Sequence, residues 1–124
     1  MNTVQTDDAP RAIGPYSQAI QVDGWLYASG QLPMTPAGDM VEGDIEAQAE
    51  QVFNNIEAIL KAAGGALSQV VKASVFVQDL ERFRPTERGL RAPLPGRQPA
   101  RSTVAIVRLP RDARVGIEII ARLF

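Results

Sequence analysis

Gln18-Ala19-Ile20-Gln21-Val22-Asp23-Gly24-Trp25-Leu26-Tyr27-Ala28-Ser29 is the stretch on which the fold turns. Gln18 to Val22 is a short β-prone run. Asp23-Gly24 follows, the favoured pair for a two-residue hairpin turn. Trp25 to Ser29 then reads as the return strand. A β-hairpin therefore starts the sheet, and Ser29-Gly30-Gln31 ends it.

Downstream, residues 31–43 carry Pro33, Pro36, Gly38 and Gly43 and read as a loop. Asp44 is placed to cap a helix. Ile45, Ala49, Val52, Phe53, Ile56, Ile59, Leu60 and Ala63 recur at spacings of three and four and form one apolar stripe. Glu46, Glu50 and Glu57 lie off that stripe. Gly64-Gly65 ends the helix. Val70 to Val77 is rich in β-branched residues and reads as a largely buried strand. Asp79 to Leu94 predicts a second helix, but Pro85, Gly89 and Pro93 interrupt it. Only a short helix near Thr86–Arg91 is expected there. Arg101 to Arg108 reads as a strand, Leu109 to Asp112 as a turn, and Val115 to Leu123 as a final strand. That last strand puts Val115, Ile117, Ile119, Ala121 and Leu123 on one face and Gly116, Glu118, Ile120 and Arg122 on the other. The order β-β-α-β-α-β-β predicts an α+β domain, a mixed sheet with two helices on one face. The opposite face keeps Val104, Ile106 and Ile120. A closed oligomer that packs sheets together is the simpler account of that surface.

With 124 residues, 45% of them hydrophobic and 22% charged, the chain is one ordinary globular domain, 1–124. The absences exclude more. There is no cysteine, so no disulfide, thiolate nucleophile or sulfur-ligated metal. There is no histidine, which removes the usual general base and the commonest zinc ligand. The carboxylates are scattered without metal-ligand spacing, and no phosphate-binding glycine loop or dinucleotide fingerprint is present. Neither a metal nor a cofactor is expected. The first residues have no basic start and no long apolar run, so a cytoplasmic protein without a membrane segment is expected. Residues 1–60 hold one basic residue against nine acidic ones, and residues 61–124 hold twelve against five. Mutual neutralisation of the two halves, within one domain or between subunits, is the simplest reading.

Few residues carry chemistry. Arg101 opens a strand directly after Pro99-Ala100, where a guanidinium makes a good bidentate carboxylate receptor. A surface salt bridge is the plain alternative. Glu118 sits among isoleucines, so it is paired, solvated in a cleft or neutral, and a positioned carboxylate is a general-base candidate. Gly30, after Ser29, lets a ligand approach the backbone, or merely ends a strand. Tyr16, in Gly14-Pro15-Tyr16-Ser17-Gln18, offers a ring and a hydroxyl, or simple packing.

Linked segments resemble the RidA (YjgF) family: Ile13-Gly14-Pro15-Tyr16-Ser17-Gln18-Ala19, Ser29-Gly30-Gln31, Val75-Phe76-Val77 and Pro99-Ala100-Arg101-Ser102-Thr103. The match runs from Ala9 to Ala121. The resemblance implies a chorismate-mutase-like α+β fold and a homotrimer with clefts between subunits. It implies cofactor-free hydrolysis of reactive enamine or imine intermediates, such as 2-iminobutanoate and 2-iminopropanoate, to 2-oxo acids and ammonia. Carried over, Arg101 matches the arginine that binds the substrate carboxylate, and Glu118 the glutamate that positions the attacking water. Tyr16, Ser29, Gly30 and Thr103 fall at pocket-lining positions. The chain departs from the family pattern where Glu87 replaces an asparagine, Leu90 a tyrosine and Leu94 a phenylalanine. Gly116 likewise replaces a glutamate.

Two other classes stay open. One is a non-catalytic protein of the same fold that binds a 2-oxo acid, as the altered second helix suggests. The other is RNA binding or cleavage, for which nine arginines between residues 82 and 114 are the only sign. No aromatic stacking platform accompanies them, so nucleic acid is not the expected partner.

Overall fold

The computed structural model describes residues 1–82 and 97–123. Among the described residues, six strands form one mixed sheet: β1 (Asn2–Val4), β2 (Ala19–Val22), β3 (Trp25–Gln31), β4 (Val70–Val77), β5 (Ala100–Ala105) and β6 (Val115–Arg122). Their spatial order is β1-β2-β3-β6-β4-β5. Only the β4–β5 pair is parallel. One long helix, α1 (Ile45–Ala62), lies against β3 and β6.

The hairpin forms as its sequence predicts. Asp23 and Gly24 both have positive φ, 50° and 79°, the backbone of a type I′ turn. A side chain at Gly24 would also strike the carbonyl oxygen of Leu123. The return strand runs two residues past Ser29, to Gln31. β1 was not anticipated. It pairs with β2 through Asn2–Gln21, Thr3–Ile20 and Val4–Ala19. The segment after it is tied down by the buried Gln18. That side chain accepts from the Thr6 N–H at 2.7 Å and donates to the Pro10 carbonyl at 2.8 Å.

In α1, Asp44 caps the N-terminus by accepting from the Ala47 N–H at 2.9 Å. The Gly65 N–H bonds the Leu60 carbonyl at 2.7 Å and closes the other end. The apolar stripe from Ile45 to Leu60 is buried as its period dictates. So are alternate residues of β6 (Val115, Ile117, Ile119, Ala121) and of β4 (Ala73, Val75, Val77), which form the opposing side of the core. Two polar side chains share that interior. Asn55 is fully buried, and its amide donates to the carbonyls of Leu32 and Met34 at 3.1 and 2.9 Å. Gln48 joins the Val41 carbonyl to the Arg114 N–H.

Other boundaries differ from the sequence reading. β5 stops at Ala105, three residues short of Arg108. The turn before β6 holds Arg111 and Asp112 with positive φ, 56° and 57°. Arg108 meets the Asp112 carboxylate at 2.8 and 3.3 Å, and Arg111 donates to the Gly38 carbonyl at 2.8 Å. The Asp112 carboxylate, by hydrogen bond and then by charge, raises the Arg108 pKa above its ordinary value. Of the expected second helix, Leu80–Arg82 forms a single 3-10 turn. Its proposed centre, Thr86–Arg91, with the departures at Glu87, Leu90 and Leu94, lies outside the described residues. The sheet face away from α1 stays partly apolar, with Tyr27 48% and Val104 46% exposed. No helix among the described residues is long and apolar enough to cross a membrane.

Candidate functional site

The site begins with an irregularity in β3. Ala28 pairs with Ile119 of β6, but the next pair is Gln31 with Ile117. Three residues of β3 advance against two of β6, so Ser29 and Gly30 together oppose Glu118. This is a β-bulge, a device that breaks ladder pairing beside binding sites. Each neighbour of the bulge is fixed. The Ser29 hydroxyl donates to the Ser17 carbonyl at 2.6 Å, and its N–H bonds the Gln18 carbonyl at 2.9 Å. Gln31 donates to the Ser29 carbonyl at 3.3 Å. Gly30 faces open space: a methyl group built on it meets no atom within 4 Å.

Tyr16 stands one residue before Ser17, the anchor of Ser29. Its phenol oxygen accepts from the Ile13 N–H at 3.2 Å, and its ring is half exposed. It borders a surface depression of about 360 Å³ shared with Arg11 and Gln18.

Glu118 settles one of the sequence alternatives. It is exposed on the outer row of β6 and is not buried in the core. Its cross-strand partner is Ser74 of β4. Glu118 lines a second depression, about 290 Å³, with Tyr27, Lys72, Ser74 and Ile120. Lys72 and Ser74 were missed because Val70 to Val77 reads as a buried run. Their signal is the alternation inside it, with Lys72, Ser74 and Phe76 on the outer row.

Arg101 and Thr103 lie elsewhere. They are on β5, at the edge of the sheet, paired with Ala73 and Val75. Cross-strand partners share a face, so both belong to the row opposite that of Glu118. The strand order places β6 and β4 between β3 and β5. Three inter-strand steps separate Arg101 from the bulge, about 14 Å. Within one chain, then, Ser29, Gly30 and Glu118 come together with Tyr16 nearby, and Arg101 and Thr103 do not join them. The Thr103 hydroxyl is buried with no hydrogen-bond partner.

Electrostatically, the described arginines are dispersed. Arg82 faces Asp79 at 3.8 Å, and Arg97 donates to the carbonyls of Val70 and Ser68. Arg108 and Arg111 are engaged in the turn before β6. Among the described residues, no group of three or more carboxylates could hold a metal ion.

Among the described residues, a six-stranded mixed sheet over one long helix, with an open glycine bulge facing a carboxylate, defines a small α+β domain. A sequence model of the family described as Endoribonuclease L-PSP matches residues 6–123. The chain belongs to that family, the RidA family of the sequence resemblance. It is 40% identical over 122 residues to a 2-iminobutanoate/2-iminopropanoate deaminase of Escherichia coli (strain K12), covering 96% of this chain and 95% of that one. It is 46% identical over 121 residues to a RutC family protein of Sulfurisphaera tokodaii, covering 97% of each. The crystal structure of RidA from an Antarctic Psychrobacter matches with a TM-score of 0.95 at 45% identity, covering 99% of this chain and 100% of that one.

Proposed function

We propose that the protein hydrolyses small 2-imino acids, or their enamine tautomers, to 2-oxo acids and ammonia. The observation that carries this reading is the open Ser29–Gly30 bulge set against the Glu118 carboxylate, in a chain 40% identical to a relative named for that reaction. Water adds to the imine carbon, the C–N bond of the resulting carbinolamine breaks, and the nitrogen leaves as ammonia. Glu118 holds the water over that carbon, takes its proton and returns it to the nitrogen that leaves. The backbone at Gly30 receives the imine end, and Arg101 grips the substrate carboxylate. The substrate hydrolyses unaided in water, so positioning supplies what the reaction needs.

The carboxylate and imine carbon of a 2-imino acid are adjacent atoms. One such molecule cannot span the roughly 14 Å between Arg101 and the bulge of a single chain. The reading therefore places the site between subunits of a homotrimer, with Arg101 on the edge strand of one copy facing the bulge of another. That arrangement also covers the apolar outer face and offers the Thr103 hydroxyl a partner.

The test is a coupled assay. An amino-acid oxidase generates 2-imino acids, semicarbazide traps them, and the protein is scored by how far it suppresses trapping. Suppression is expected for short side chains. A folded protein that suppresses none of them overturns the reading. Binding of a 2-oxo acid without turnover would then favour a metabolite-binding protein. Gly30→Ala provides an internal check. The added methyl has room, so stability should hold within about 0.5 kcal/mol. Activity should fall about tenfold or more, because the methyl occupies the approach to the backbone.

A further inference from the structure

Two opposite charges, Lys72 and Glu118, share the outer row of the central strands without being in contact. Ser74 pairs with Glu118, and Lys72 pairs with Ile120. Lys72 is therefore the diagonal neighbour of Glu118 on the same row, a separation of about 7–8 Å, which lies within reach of a long side chain. Both line the depression shared with Tyr27 and Ile120. The Ser74 and Tyr27 hydroxyls in this depression can each offer Glu118 one neutral donor, whereas the Lys72 ammonium offers three and a positive charge. If another molecule covers this face, an unpaired charge there becomes costly, and each of these two is the nearest counter-charge to the other along the central strands.

We infer that Lys72 is a positioning residue for Glu118, its ammonium holding the carboxylate in the orientation from which it presents water to the imine carbon. This rests on the proposed reaction. Arg101 takes the substrate carboxylate, so Lys72 acts on the chemical step and not on binding.

Lys72→Met and Lys72→Arg are assayed for imine hydrolysis. In parallel, the side-chain carboxyl carbon resonance of Glu118 is followed, assigned by its loss in Glu118→Gln. Lys72→Met is expected to lose about ten- to a hundredfold in kcat with KM within about twofold of wild type, and Lys72→Arg to recover most of it. The Glu118 resonance should move in the methionine variant and return in the arginine variant. A kcat within about twofold of wild type, a loss carried by KM, or an unmoved resonance overturns the assignment. Lys72→Gln replaces the methionine variant should that one fail to fold. If the wild-type protein hydrolyses no imine, the proposed function fails by itself, and the resonance alone decides the role of Lys72.

Discussion

Arg101→Ala is expected to lower kcat/KM for a 2-imino acid by about two to four decades while the protein stays folded. On the proposed reading the substitution removes one partner of an ion pair that is bidentate and desolvated between subunits, a loss of about 3–5 kcal/mol. The fold should tolerate it, because Arg101 is exposed on β5, at the sheet edge, and contributes nothing to the core. Arg101→Lys separates charge from geometry. Lysine keeps the charge but loses the planar fork, so only part of the activity should survive. Steady-state kinetics and sedimentation of the three proteins make the comparison. Alanine-variant activity within about threefold of wild type would remove Arg101 from the site.

Asn55→Leu should produce the largest loss of stability. The side chain is fully buried, donates to two loop carbonyls, and accepts from Gln51 at 2.9 Å. Leucine keeps the branched shape, with somewhat more bulk, but strands the Leu32 and Met34 carbonyls, at about 1–3 kcal/mol for each unsatisfied group. A total near 3 kcal/mol corresponds to a fall in Tm of roughly 10 °C. Gln51→Ala, which removes only the outer bond, should cost less than about 1 kcal/mol. Thermal denaturation of both variants checks the pair. Leu32 directly follows β3, so the same substitution should loosen the exit from the Ser29–Gly30 bulge and lower activity below what unfolding alone explains. An Asn55→Leu protein melting within about 2 °C of wild type would show that those carbonyls find other donors.

The elements with strong periodicity were legible in the sequence. Asp23-Gly24 named its turn, the apolar stripe after Asp44 named α1, and alternation in Val115–Leu123 separated the core face of β6 from the face that carries Glu118. What could not be read depends on contacts distant along the chain. Asn55 and Gln48 look like ordinary polar helix residues, because their partners are backbone carbonyls and amides far from them in sequence. β1 is only three residues long and takes its stability from β2. The bulge is invisible until β3 and β6 are aligned, since a lone Ser-Gly pair reads equally well as the end of a strand. Arg101 became a candidate through its neighbours Pro99, Ala100, Ser102 and Thr103. Its distance from the bulge follows from strand order, which local pattern does not specify.

That strand order has a consequence for biosynthesis. β6 is made last of the six strands, yet it lies in the middle, flanked by β3 and β4. Without residues 115–122 the other strands divide into two sets, β1–β2–β3 and the parallel pair β4–β5, each with an unmatched border. Glu118 arrives on the strand that joins them. A chain ended before Val115 therefore lacks both the strand that joins them and the Glu118 carboxylate. Closure of the sheet and arrival of Glu118 thus depend on one strand, and a prematurely ended chain exposes unpaired edges of the kind that promote aggregation.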